Sequence, residues 1–332
     1  MKTLTGTHLL PLSASERGPG GEVSSSIGAE REMAEAMHAR AAEFFRTLQD
    51  TICAALEAAD GGARFREDAW TRPGGGGGRS RVLEEGAVFE KAGVNFSEVF
   101  GEFSPEFAKQ MPGDGLGFTA TGVSLVLHPR SPLVPTVHMN FRMLTHGSAA
   151  WFGGGADLTP YYPYEQDVVE FHRAWRAVCR RHAPAADYAK MKAECDDYFY
   201  LKHRHEARGV GGIFFDHFGT GDLDRAFDFV QDAGAQFLPS YLPIVERRKG
   251  LAFTPEQRYF QEYRRGRYVE YNLIWDRGTL FGLKTDGRVE SILMSLPPVV
   301  RYVYDYRPAP SSREAELADY WLKPQAWAER GE

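Results

Sequence analysis

The sequence predicts an α+β protein in which a large antiparallel sheet is flanked by helices on both sides, and three observations carry that reading. Two alternating runs, GVSLVLHP and VPTVHMNFRML, are separated only by PRSPL, as neighbouring antiparallel strands are. Stretches with apolar residues at helical spacing fill the start and the centre of the chain, so strands flank a central helical block. With 332 residues, 43% hydrophobic and 25% charged, the chain can bury a sizeable core.

Taken in order, residues 1–26 read as a disordered tail, and a single domain is expected over 27–332. From Gly28 to Ala59, Met33, Met37, Phe44, Leu48, Ile52 and Leu56 recur at helical spacing until Gly61 and Gly62 stop them. Between Arg64 and Phe103 short strands are expected, interrupted by the loop TRPGGGGGRS. The two alternating strands follow, then helices over Glu165–His182 and Asp187–Arg208, the second ended by Gly209. GGIFFDHF reads as a buried strand, and Leu223–Arg248 as a helix that Pro239 and Pro243 break or kink. After another short helix, GRYVEYNLIWDRGTLFGLKTDGRVESILMSLPP reads as a three-stranded meander with a tight turn at Asp286-Gly287.

Composition excludes several functions. A net charge of -6 and a pI of about 6.0 offer no basic field for nucleic acid or an anionic membrane. No apolar run reaches the roughly 20 residues of a spanning helix, and the first residues lack the form of a secretory signal. Cys53, Cys179 and Cys195 are too scattered for a disulfide framework and fit a reducing cytoplasm. The basic residues are nine lysines against thirty arginines, a bias that suits planar recognition of carboxylates as well as a GC-rich coding sequence.

The chemistry concentrates in Val137–Pro160. Strand alternation puts Val137, Met139, Phe141 and Met143 on one face and His138, Asn140 and Arg142 on the other. By the same parity Ser124 and His128 share a face of the preceding strand. If those faces coincide, five polar side chains line one patch that can hold an anion and move a proton. Gly153–Gly155 then allow close approach of a flat ligand, or mark a bulge, before the acid Asp157. The run Gly74–Gly78 fails as a phosphate loop, because no Lys-Ser or Lys-Thr follows it; a flexible loop is the expectation. Nor is there a strand-associated GxGxxG for a dinucleotide. Imidazoles suit zinc, iron or copper, but His128, His138, His172 and His203 lie on four separate elements without a short ligand pair. A last cluster, Arg264, Arg265, Arg267, Glu270, Asn272, Asp276, Arg277 and Arg288, reads either as ion-paired edges or as a carboxylate-binding rim.

With those residues in view, the chain resembles the oxygen-dependent coproporphyrinogen III oxidases from about Arg64 to Tyr306. The likeness rests on GVSLVLHP, VPTVHMNFR, WFGGGADLTP, CDDYFYLKHR, GVGGIFFD, YLPIVERRK and RRGRYVEYNLIWDRGTLFGL with ESILMSLPP. It implies a cytoplasmic homodimer whose interface includes about 268–303. The implied reaction converts two propionates of coproporphyrinogen III to vinyl groups, giving protoporphyrinogen IX, with dioxygen as co-substrate and no organic cofactor. By the same resemblance His138 is a proton donor, and Ser124, Asn140, Phe141, Arg142, Asp286, Gly287 and Arg288 bind substrate. His128, His138, His172 and His203 match positions assigned to a divalent metal cation. Asp157 is then the candidate acid/base or pyrrole-NH anchor, and Arg142 holds a propionate or a peroxide-like anion. The chain departs from the family pattern in a short segment between Arg142 and Trp151, in Ala150, and in His217 after Asp216. A tetrapyrrole carrier and a metal-dependent hydrolase remain open as alternatives.

Overall fold

The computed structural model describes residues 20–284 and 287–331. Helix α1 (Gly20–Asp60) is followed by strands β1 (Arg66–Thr71), β2 (Gly76–Glu84) and β3 (Phe89–Glu102), a helical turn α2 (Pro105–Ala108), then β4 (Gly117–Pro129), β5 (Thr136–His146) and β6 (Ala149–Thr159). Helices α3 (Glu165–Arg181) and α4 (Tyr188–Tyr198), the short hairpin β7 (Tyr200–Leu201) and β8 (Glu206–Ala207), and strand β9 (Gly211–Phe218) come next. The chain ends with α5 (Leu223–Arg248), α6 (Pro255–Ile274), α7 (Arg277–Lys284), α8 (Val289–Leu293) and α9 (Arg313–Glu316). Seven strands form one antiparallel sheet in the order β1-β2-β3-β4-β5-β6-β9.

The alternation read from the sequence sorts the two faces of this sheet. Val123, Leu125 and Leu127 of β4 and Val137, Met139, Phe141 and Met143 of β5 are buried in the main core. Met37, Phe45, Ile52 and Leu56 of α1 and Phe227, Val230 and Phe237 of α5 complete it. Each such fully buried side chain contributes about 1.5–3 kcal/mol. The opposite face carries the polar side chains and is covered by α4 at its β9 side and by α6 to α8 elsewhere. Helices therefore lie on both sides, as expected.

Several local expectations are overturned. The helix expected from Gly28 starts at Gly20, so 20–26 are helical, while residues 1–19 of the expected tail lie outside the described residues. Gly76, Gly77 and Gly78 are part of β2, because a Cβ at Gly76 would fall 2.2 Å from the Glu98 carbonyl oxygen and one at Gly77 2.3 Å from that of Trp70. Only glycine lets the three strands close up there. Helix α4 ends at Tyr198, well before Arg208, and Leu223–Arg248 runs unbroken through Pro239 and Pro243.

The expected meander is helical. A capping box at Thr254 and Gln257 with Pro255 opens α6. Its buried Phe260, Arg264, Tyr268, Tyr271 and Asn272 repeat every three or four residues, a longer signal than the local alternation in RYVEY. Gly287 therefore turns the chain between two helices, its N–H bonding the Gly282 carbonyl at 2.8 Å.

Asp60 ties the end of α1 to the sheet. Its carboxylate accepts N–H bonds from Ala63 at 3.0 Å, Ala87 at 3.1 Å, Val88 at 2.8 Å and Phe89 at 2.9 Å. Burial pulls its pKa up, but these donors outweigh burial and hold it below the usual carboxylate value. A depressed folded-state pKa gives stability that is present above the unfolded value, about 3.9, and lost as pH falls through the folded one. Asp60→Ala is expected to cost about 2–3 kcal/mol in urea unfolding at pH 7. The gap to the native protein should narrow as pH drops below 4; a constant gap would deny the carboxylate this role.

Candidate active site

The polar face is built row by row from strand register. Asp68, Ser80, Asn95, Ser124, Asn140 and Gly155 pair in succession from β1 to β6. The row beside it runs Val82, Gly93, Val126, His138 and Asp157. Directly paired residues in antiparallel strands share a face, so the two expected strand faces do coincide. Above them lies a cleft of about 300 Å³ lined by Asn95, Ser124, His138 and Asn140 from the sheet, by Arg208, and by Asn272, Asp276, Gly287 and Arg288 from α6 to α8. That is the lower end of ligand-pocket volumes, before a ligand moves any wall.

His138 and Asp157 face each other across β5 and β6, with Nδ1 2.8 Å from Oδ1. The carboxylate is an acceptor, so Nδ1 carries the proton and Nε2 is directed to the cleft. Asp157 itself is 1% exposed and does not line the cleft. Arg208 grips it with one nitrogen at 2.8 and 2.7 Å from the two oxygens and donates to Asn272 Oδ1 at 3.1 Å. The Arg208 guanidinium lies 4.0, 4.7 and 4.9 Å from the ring centroids of Phe199, Tyr268 and Tyr271. Burial pulls the Asp157 pKa up, but Arg208 and then His138 outweigh it and hold the carboxyl low. For Arg208, burial opposes the charge and Asp157 overrides it, raising the pKa.

A second acid reaches the cleft. Asp276 accepts from Tyr198 Oη at 2.8 Å and from the Thr279 N–H and hydroxyl at 2.8 and 2.7 Å. Burial pushes its pKa up, but these donors hold it below the ordinary value, so it too is ionised at neutral pH. Arg142 lies beside Asn140, donating to its Oδ1 at 3.1 Å, and pairs with Asp216 at 3.0 Å. A Cβ on Gly153 would fall 2.8 Å from both Arg142 Nη2 and Asp216 Oδ1. The glycine thus makes room for this ion pair, and the pairing of β6 with β9 shifts register between Phe152 and Gly154, as the bulge reading of these glycines expected. Arg288 bridges to Asp68 on β1 at 2.5 Å.

Of the residues singled out from sequence, Ser124, His138, Asn140, Asn272, Asp276, Gly287 and Arg288 line the cleft, while His128, Arg142 and Asp157 do not. Phe141 does not: alternation sends its ring into the core, 6.2 Å from Phe215. Asp286 lies outside the described residues. The four histidines do not form a ligand set, and among the described residues no three His, Cys, Asp or Glu side chains are placed to hold a metal. His128 Nε2 donates to the Ser295 carbonyl at 2.9 Å, with Nδ1 3.4 Å from Thr136 Oγ1. His172 Nε2 donates to the Val210 carbonyl at 3.0 Å, and its Nδ1 accepts from Tyr188 Oη at 2.8 Å. His203 Nδ1 accepts from Trp275 at 2.9 Å while Nε2 bonds Glu270 at 2.8 Å. Rings whose two nitrogens are both engaged this way offer no lone pair to a cation, so these residues do not fit the metal.

The sequence reading missed Arg208. Assigning it to the end of a helix hid that the chain turns there, its N–H bonding the Phe199 carbonyl at 2.8 Å. The only trace was an arginine set against the glycines of GVGGIFFD. Residues 40–327 match the protein family described as coproporphyrinogen III oxidase.

Removing one member of a buried ion pair strands the other charge. Arg208→Leu is expected to cost about 3–5 kcal/mol in chemical unfolding. Adding Asp157→Asn should recover part of that loss, and strictly additive losses would show that the two charges are not coupled.

Proposed function

The chain belongs to the coproporphyrinogen III oxidase family, and from that premise we propose that it converts two propionates of coproporphyrinogen III to vinyl groups, giving protoporphyrinogen IX with dioxygen as electron acceptor and no organic cofactor. Each conversion releases the carboxylate carbon as carbon dioxide and a hydride equivalent from the methylene next to the ring. One dioxygen takes those two electrons and, with the hydrogen and one further proton, becomes hydrogen peroxide. The observation that carries the reading is the polar sheet face on which His138 presents Nε2 beside two ionised carboxylates, with Arg142 and Arg288 at its sides.

Each group has a task in this scheme. Asp157 holds the tautomer and orientation of His138, which transfers protons through Nε2. Asp157 does not line the cleft whereas Asp276 does, so Asp276 is the better acceptor for pyrrole N–H groups. Arg142 suits a propionate or a peroxide-like anion, since a guanidinium binds planar anions in fixed geometry. Ser124, Asn140 and Arg288 complete the substrate contacts; Phe141 contributes only backbone. No step is routed through a metal. A carrier protein would leave the His138–Asp157 pair without a task.

We also propose a cytoplasmic homodimer. Among the described residues no helix is long and apolar enough to cross a membrane. The region 268–303 exposes Leu273, Ile274, Leu283, Val289, Val299 and Tyr302, with Ile274 49% and Tyr302 62% exposed. Apolar side chains exposed in such number within one segment suit contact with a second copy of the chain. Ile274→Asp should turn a dimer into a monomer by light scattering, and a dimer of unchanged affinity would move the interface elsewhere.

The reaction is tested with coproporphyrinogen III in air and under strict anaerobiosis, following carbon dioxide and protoporphyrinogen. Product is expected only in air, with His138→Gln lowering kcat by about 10²-fold or more while KM changes little. Equal product without oxygen would sink the mechanism, and wild-type turnover in His138→Gln would remove that ring from it.

A further inference from the structure

We infer that Arg72, on the glycine-rich β1–β2 hairpin, is a substrate-specificity residue that binds a carboxylate of the tetrapyrrole remote from the reacting one, with Trp70 as the adjacent wall. This assignment rests on the proposed reaction and goes beyond it, because the hairpin was expected to be a flexible loop or, less favoured, a mobile lid, with no residue of it assigned to the substrate. Trp70 and Arg72 both line the cleft, at the opposite side from His138. They are two residues apart on β1 and just beyond it, so they share the face that carries Asp68, whose carboxylate holds Arg288.

The glycines are placed to hold these two side chains. A Cβ on Gly74 would fall 2.9 Å from Arg72 Nη1, and one on Gly101 3.3 Å from the same atom. Arg72 Nη1 donates to the Phe100 carbonyl at 3.1 Å. The Trp70 ring covers Gly78, where a Cβ would lie 2.3 Å from Cζ2, and its indole N–H donates to Ser80 Oγ at 3.1 Å. An arginine and a tryptophan are thus seated in a slot that side chains at these glycines would close.

Register gives the slot its meaning. Trp70, Gly78, Ser97, Gly122 and Arg142 are successive partners across β1 to β5. Between the Trp70 ring, which covers Gly78, and Arg142 the row carries only Ser97 and Gly122, so the sheet face is low there. Four inter-strand spacings separate the ends of this row, roughly 19 Å of backbone. A tetrapyrrole macrocycle with carboxylates on opposite edges spans this face, with one edge at His138 and the other at Arg72. A carboxylate at Arg72 lies too far from His138 to react, so Arg72 contributes to binding and leaves the chemical step alone.

The test uses coproporphyrin III, the stable aromatic form, titrated against the full-length protein by tryptophan quenching, together with kcat and KM for coproporphyrinogen III. Arg72→Ala should weaken coproporphyrin III binding and raise KM by roughly 10-fold or more, as expected for a lost charge-assisted contact, with kcat within about threefold. Gly74→Ala keeps the charge but displaces the guanidinium, and should weaken binding in the same direction by a smaller factor. The melting temperature of both variants should match the wild type. Wild-type binding with no loss in Arg72→Ala would overturn this assignment alone. A fall in kcat with KM unchanged would overturn it as well. No turnover of coproporphyrinogen III by the wild type in air would overturn the proposed function and this assignment with it.

Discussion

The Asp157–Arg208 ion pair is the interaction on which the rest of the site depends, since it joins three separate parts of the chain. Asp157 belongs to β6, Arg208 to the link between β8 and β9, and Asn272, the next partner of Arg208, to α6. Two buried charges cost several kcal/mol each in desolvation, and an apolar trio of the same volume would hold these elements together as well or better. The pair is therefore poorly explained by stability. What it supplies is an ionised carboxylate directly behind His138, available to fix a tautomer. The aromatic rings of Phe199, Tyr268 and Tyr271 around Arg208 offset part of its lost hydration.

The same economy recurs around the cleft. Arg142 is paired with Asp216, Arg288 with Asp68, and Arg208 with Asp157. Under the proposed function, an arriving carboxylate at Arg142 or Arg288 would therefore exchange one anionic partner for another. It does not have to strip water from a bare cation, and the guanidinium is already oriented when it arrives. At Arg208 the exchange is blocked, because its partner is enclosed and held by His138 as well. Similar residues would thus serve as a gripping group in two places and as a fixed support in the third.

Much of this was legible in the sequence wherever period-2 alternation was long and its flanks clear. The β4 and β5 strands, the polar face carrying Ser124, His138, Asn140 and Arg142, and the amphipathic α1 all follow from spacing alone. The C-terminal region was misread because aromatic and β-branched residues such as Tyr268, Val269 and Tyr271 favour strands locally. Their longer helical repeat only acquires meaning once a sheet face is present to receive it. The glycine run was misread for a related reason: a strand that must fit between two close neighbours has the composition of a loop. The Arg208 contact was out of reach, since nothing in a linear sequence reports which buried acid an arginine meets across fifty residues. The four histidines show the converse limit, because residue type suggested a ligand set that the fold distributes among carbonyls, hydroxyls, two carboxylates and an indole.

The pairing of β1 to β6 makes the strands behave like a reading frame. One residue inserted in β4 or β5 would carry Ser124 or His138 to the core and bring Leu125 or Met139 to the cleft. Sequence length can therefore drift only where no frame is kept, in turns such as Gly147-Ser148 between β5 and β6. Change in chain length and constancy of chemistry are thereby separated along the same hairpin, within a few residues of each other.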